Sequence, residues 1–224
     1  RRRYLHRLTA QALENLHSAD LAPVSHQLAT HYERAGLPHL AAPHFLRAAR
    51  VARQVYANDE AICLIRRGLE LIEDVKTNIG KVESASETVA QLWEELGDIF
   101  EQRAQHEQAL LTYQNAQSRI SNSDQIWQAR LYRKKAAVLR EQRHYAQALD
   151  ACHQAEYALG SQPDRADDLW WVEWLEVQIE QVWAHYWLAK WPEMDTLLNK
   201  LQPIVQEHGK GGNRMRFLMA SCLL

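Results

Sequence analysis

Apolar residues recur at intervals of three and four almost throughout the chain, the period of helices that bury one side. The pattern breaks at Gly36-Leu37-Pro38, Ala57-Asn58-Asp59, Lys76 to Ser86, Ser121 to Asp124, Gly160 to Asp164, Trp191-Pro192 and Gly209 to Gly212. Such stops predict about ten helices. Asp59 and Asp124 are placed to act as N-caps, and Pro192 suits a first turn. No stretch alternates with period two for long enough to make a strand. Lys76 to Glu87 is the most polar segment and reads as a loop. The first helix spans Arg1 to His17 and the last Asn213 to Leu224, whose apolar side has no following partner. Both ends read as cut, so the chain is expected to be a piece of a longer protein.

An all-helical chain invites a search for repeats. Trp93, Leu96, Gly97 and Phe100 are followed by Ala109, Tyr113 and Ala116. The wording recurs upstream as Leu28, Ala29, Tyr32, Ala41, Phe45 and Ala48, and downstream as Tyr132, Ala136, Leu139, Ala148, Cys152 and Ala155. A half-copy runs through Ala61, Ile65 and Gly68, and a degenerate one through Trp191, Met194, Leu198 and Leu201. The physical sense is a helix pair in close contact. Small residues (Gly97, Ala109, Ala116) stand where the helices cross, and Phe100 and Tyr113 fill the space between them.

This grammar resembles the tetratricopeptide repeat, W-x2-L-G-x2-Y followed by A-x3-F-x2-A. The resemblance implies an all-α fold, a right-handed α-α superhelix of antiparallel helix pairs, over residues 22–208. Residues 1–21 form a leading helix, read as the end of a preceding domain or part of the array, and 209–224 form the first helix of a further, truncated repeat. Ala109, Ala148 and Met194 are 39 and 46 residues apart, longer than the usual repeat of about 34, so longer helices or loops are expected. The stretch before residue 75, with "LATHYERAG" and "FLRAA", also resembles the segment that follows the nucleotide-binding module in bacterial signal-transduction ATPases of the STAND type. That group includes LuxR-type transcription regulators and cyclase-linked predicted ATPases. The resemblance implies a repeat array acting as the sensor and regulatory arm of a larger bacterial ATPase, whose catalytic and DNA-binding parts lie outside this sequence.

Composition agrees with a folded helical domain. Apolar residues make up 46% and charged residues 24%, and the eight Gly and six Pro are few for a turn-rich β fold. A net charge of −2 argues against direct nucleic-acid binding. Three scattered cysteines, Cys63, Cys152 and Cys222, have neither metal nor redox spacing and suggest a cytoplasmic setting. Nothing reads as a signal peptide or membrane span.

Catalytic chemistry finds no purchase. Gly209-Lys210-Gly211-Gly212 has the letters of a phosphate loop without its spacing. Eleven His include no H-E-x-x-H, and His26/His31 and His39/His44 are five apart, the wrong interval for one helical face. Cys152 stands where the repeat buries a bulky residue, so an unreactive thiol is expected. Neither cofactor nor metal is predicted.

In the resembled fold, the first helix of each pair lines the inner surface. The frame turns inward Glu94, Asp98 and Glu101; then Arg130, Arg133, Ala137 and Arg140; then Glu176, Ile179, Trp183, Tyr186 and Trp187. Arg130, Arg133 and Arg140 share a helical face and suit a carboxylate or phosphate. The competing and preferred reading pairs them with Glu94, Asp98 and Glu101. Six of the eight Trp fall between 170 and 191. Trp170 and Trp174 share one face, and Trp183, Trp187 and Trp191 another, about 140° or more away. Both sets can be core in a solenoid, and either, if exposed, makes a stacking platform. The expected function is a non-catalytic scaffold that takes a protein or peptide partner, another domain of the same chain, or a small-molecule inducer, through Arg130, Arg133, Arg140, Trp183, Tyr186 and Trp187. The alternative is a structural or self-association module that spaces domains.

Overall fold

A computed structural model describes residues 1–76, 83–121, 123–161 and 168–222, apart from the side chains of 73–76 and 83–85. Every regular element among them is helical. One compact unit, Arg1–Arg119, holds α1 (Arg2–Leu16), a 3-10 turn (Ala22–Val24), α2 (Ser25–Ala35), α3 (Pro38–Gln54), α4 (Asn58–Lys76), α5 (Glu83–Gln102) and α6 (His106–Gln117). The other, Ile120–Leu224, holds α7 (Gln125–Glu141), α8 (Tyr145–Leu159), α9 (Asp168–Trp187), α10 (Trp191–His208) and α11 (Gly211–Ser221). Helices pack chiefly on their chain neighbours, with next-but-one contacts of α3 on α5, α7 on α9 and α9 on α11. This is an all-α helical-repeat fold of the tetratricopeptide kind.

The repeat positions are the core. Leu28, Ala29, Ala41, Ala61, Ile65, Ala109, Tyr113, Ala116, Ala136, Cys152, Ala155, Met194 and Leu201 are all fully buried. A Cβ on Gly97 would stand 2.4 Å from a ring carbon of Tyr113, so the close crossing of α5 and α6 requires the glycine. The half-copy on α4 has a structural reason. Its partner is α3, which already closes the pair with α2, so one helix serves two neighbours.

Five helix–helix turns share one hydrogen-bonding plan. Gly36, Tyr56, Ala104, Arg143 and Ala189 each adopt a left-handed conformation, with φ between 54° and 76°. In each turn the following N–H reaches back to a carbonyl five residues earlier, as Leu37 to Tyr32, Gln105 to Phe100 and His144 to Leu139 at 2.8–3.0 Å. This is the Schellman closure of a helix C-terminus. The next helix then begins on Leu37, Ala57, Gln105, His144 or Lys190, whose carbonyl accepts from the buried Ala41, Ala61, Ala109, Ala148 or Met194. The turn therefore sets the register of the small residue at each crossing.

Several boundaries differ from expectation. The breaks at Arg103-Ala104-Gln105 and Gln142-Arg143-His144 contain neither Gly nor Pro, so no stop signal marks them, and only the repeat grammar places a turn between Phe100 and Ala109 and between Leu139 and Ala148. Asp59 lies inside the first turn of α4 and ion-pairs with Arg103 at 2.5 Å, rather than capping. Asp124 does cap α7, accepting from the Trp127 N–H at 3.1 Å. Of the expected loop at 76–87, residues 83–87 belong to α5, where Ser86 donates to the Arg119 carbonyl; residues 77–82 lie outside the described residues. The last helix runs Gly211–Ser221, opened by Asn213, whose side-chain oxygen accepts from the Lys210 N–H at 2.7 Å.

Candidate functional site

In the second unit, α9 presents Glu173, Glu176 and Glu180, three, four and seven residues apart and so on one helical face. Glu173 and Glu180 are buried. From one side α7 supplies Arg133, whose Nε donates to Glu173 at 2.6 Å and whose second nitrogen reaches the other carboxylate oxygen at 3.3 Å. Arg140 of the same helix donates to Glu180 at 2.5 Å. From the other side, α11 supplies Arg216, which pairs with Glu176 and, at 3.0 Å, with Glu180. The carboxylate stripe is thus clamped between two arginine-bearing helices. Burial alone would lower the Arg133 pKa, but Glu173, helped by Glu176 and Glu180, outweighs it and holds the guanidinium above its ordinary value.

In the expected arginine row, Arg133 and Arg140 are engaged by carboxylates of α9, the next helix but one. The expectation had named Glu94, Asp98 and Glu101 of α5. There Asp98 and Glu101 accept from the Tyr113 hydroxyl at 2.9 and 2.7 Å. Neighbouring Glu95, buried, ion-pairs with Arg50 and Arg53 of α3 at 3.0 and 2.6 Å. The Arg130 guanidinium lies 5.7 Å from the Trp127 ring centre. The signal for these α9 and α11 partners was present in sequence. Arg133 and Glu173, Arg140 and Glu180, and Glu176 and Arg216 are each 40 residues apart, the offset between successive first helices.

The tryptophans divide. Trp170 is buried and lies in mutual ring contact with Trp171 and Trp174. Trp171 also stacks on His208 with ring centres 3.9 Å apart. Ile179, expected to face a groove, is fully buried beside Leu175, Met194 and Leu201. It belongs to the core because α9 is covered by α7, α8, α10 and α11. Trp183 and Tyr186 are half-buried against the same core. Trp187 and Trp191 are 50% and 46% exposed. Tyr186 meets Trp187 edge-on at 5.2 Å and Trp191 at 5.4 Å, while Tyr145, at the start of α8, stacks flat on Trp187 at 5.7 Å. Four rings from α8, α9 and α10 thus form one partly open aromatic cluster beside the α9–α10 turn. The sequence places Trp191 on the face of Trp183 and Trp187, whereas Tyr145 was missed because it sits at a helix start, outside the inward-facing frame.

Cys152 is buried, and burial first, with Glu180 adding, pushes its thiol pKa far above the usual value. Its burial agrees with the expected unreactive thiol. Among the described residues, no group of three or more His, Cys, Asp or Glu could hold a metal ion, and no helix is long and apolar enough to cross a membrane.

No family model and no curated protein matches the chain. Solved structures do. BtubC (BKLC) from P. vanneervenii superposes with a TM-score of 0.66 at 14% identity, over 91% of this chain and 89% of that one. This likeness shows a shared fold. The TPR2AB-domain:pHSP90 complex of yeast Sti1 also matches, at 11% identity and a TM-score of 0.32, over 90% of this chain and 98% of that one.

Proposed function

We propose that this chain is a non-catalytic binding scaffold whose second unit takes a protein or peptide partner on the aromatic cluster of Tyr145, Tyr186, Trp187 and Trp191. The observation that carries this reading is the half exposure of Trp187 and Trp191 within an ordered set of rings. Large aromatics already held in place lose little entropy on binding and supply most of the contact energy at interfaces. The arginines of α7 act here as structure, since Arg133 and Arg140 are engaged by Glu173 and Glu180. A resident regulatory role in a larger signalling ATPase is supported by the wording of residues 1–75. A phosphate-binding loop encoded upstream of this stretch would support it further.

The test is selection of peptide ligands by display on the 224-residue chain, followed by titration against Trp187→Ala/Trp191→Ala. Acrylamide quenching should lose its most accessible component in that variant. Selected peptides that bind both forms equally well would sink the assignment.

A second reading rests on α11. Its Met215, Leu218 and Met219 are 62%, 61% and 57% exposed, a surface on which a further helix can stack, as repeat arrays do. Sedimentation of Leu218→Glu beside the parent chain separates this reading from the first. Loss of a concentration-dependent larger species would favour stacking.

A further inference from the structure

Helix α1 is amphipathic, yet it is packed with its polar side inward. At roughly 100° per residue, Tyr4, Leu5, Leu8, Ala12 and Leu16 occupy an arc of about 120°, with Asn15 the one polar side chain inside it. Tyr4, Leu5, Leu8 and Leu16 are 63%, 55%, 43% and 78% exposed. The opposite arc carries His6, Ala10, Leu13, Glu14 and His17, and of these only Ala10 is fully buried.

Polar bonds secure that inner side. Glu14 accepts from the Tyr32 hydroxyl at 2.6 Å and lies 3.2 Å from His44 Nε2, while His6 and His31 meet through their Nδ1 atoms at 3.1 Å. Tyr32 and His44 stack beneath, ring centres 5.5 Å apart. The orientation is thus held by an acid and an imidazole that find their partners on α2 and α3. The apolar side is left over.

We propose that the outward face of α1 is a docking surface for an amphipathic helix of another protein domain, one whose apolar stripe is flanked by carboxylates. The occupant follows from charge and shape. α1 spans about 22 Å and offers a ridge of i, i+3 and i+4 side chains, the form that a helix-on-helix seam requires. Its charge is three arginines against one glutamate, and that glutamate is turned inward. Arg2 and Arg7 border the apolar arc on its two sides and call for acidic residues opposite. A second copy of α1 would set these arginines against their own like charge. A lipid surface would find neither Trp nor Lys on this helix, and Arg3 is folded over the end of α2, with guanidinium atoms 3.7–3.8 Å from where a Gly36 Cβ would stand. This surface lies in the first unit and stands independently of the aromatic cluster.

The experiment is fluorescence anisotropy of two labelled synthetic helices titrated with the 224-residue chain. Both carry the same leucine stripe, flanked by glutamates in one and by lysines in the other. The glutamate-flanked helix is expected to bind at least about tenfold more tightly. Arg2→Glu/Arg7→Glu should reverse that order, and Leu5→Gln/Leu8→Gln should weaken it by about tenfold or more without changing the circular-dichroism melt, because both leucines are exposed. Equal binding of the two helices, or binding of neither, overturns the proposal. So does a Leu5/Leu8-dependent attachment to phosphatidylglycerol vesicles, or a Leu5/Leu8-dependent dimer in sedimentation, without helix capture.

Discussion

Replacing Gly97 by Ala puts the repeat grammar to a quantitative test. On an open helix the change would stabilise by about 1 kcal/mol, because alanine is the better helix former. Here the added Cβ would lie 2.4 and 2.6 Å from two ring carbons of Tyr113 and 2.9 Å from the Thr112 hydroxyl oxygen. Ordinary contact begins near 3.4 Å, so the ring must retreat by about an ångström in a packed interior. It has little freedom to do so. Tyr113 is fully buried and its hydroxyl is tied to Asp98 and Glu101. Overpacking of this kind costs about 1–3 kcal/mol, and a disturbed phenol hydrogen bond adds about 1 kcal/mol. Set against the propensity gain, the net expectation is destabilisation of about 1–3 kcal/mol. Urea unfolding followed by circular dichroism measures it. Gly212→Ala on α11 is the internal control, since a Cβ there meets nothing within 4 Å, and it should be neutral or stabilising. Tyr113→Leu should remove much of the penalty of Gly97→Ala in a double-mutant cycle. A Gly97→Ala protein as stable as the parent, or more so, would refute the close-crossing argument.

Three further outcomes follow from the geometry. Ala104→Gly and Ala189→Gly should each raise stability by a few tenths to about 1 kcal/mol in the same unfolding assay, because both residues hold φ at 54°, a conformation that costs a side-chain-bearing residue about 1–2 kcal/mol, partly offset by glycine's entropy. Glu180→Ala leaves Arg140 and Arg216 without a buried carboxylate they share and should cost about 1–3 kcal/mol, since both arginines reach solvent and Arg216 keeps Glu176, whereas exposed Glu193→Ala should change little; equal effects would contradict the clamp. The fold should lose stability in acid. Burial lowers the His44 pKa against the opposing pull of Glu14, and burial with nearby His6 and Arg34 lowers that of His31. The folded state therefore binds fewer protons than the unfolded one, and stability is full above the ordinary histidine value of 6.5 and lost as pH falls through the depressed values. Stability in the urea assay should fall below about pH 6.5, and His31→Asn/His44→Gln should flatten that dependence.

Much of this molecule was written along the chain. The three- and four-residue period, the small residues at 41, 61, 109, 116, 148 and 155, and the aromatic fillers determine helix pairs, because they express contacts between neighbours in sequence, where only one register brings small residue to small residue. The Asp124 cap, Pro192 in its first turn and the buried Cys152 were legible for the same local reason. What the sequence did not determine was set by packing across distance. Turns at Ala104 and Arg143 lack glycine because the Schellman hydrogen bonds and the buried residue that follows hold the left-handed backbone, and no local pattern announces that. Arg133 and Arg140 of α7 meet carboxylates 40 residues on, a match that depends on how successive first helices lie side by side. Trp170 and Trp187 share one helix, yet one is core and the other half open, since Ala129 of α7 and Ala155 and Leu159 of α8 enclose Trp170, whereas Trp187 ends α9 beside the turn. The orientation of α1 is the clearest case. Periodicity shows that it has two sides, but Tyr32, His31 and His44 on α2 and α3 decide that the polar one turns in.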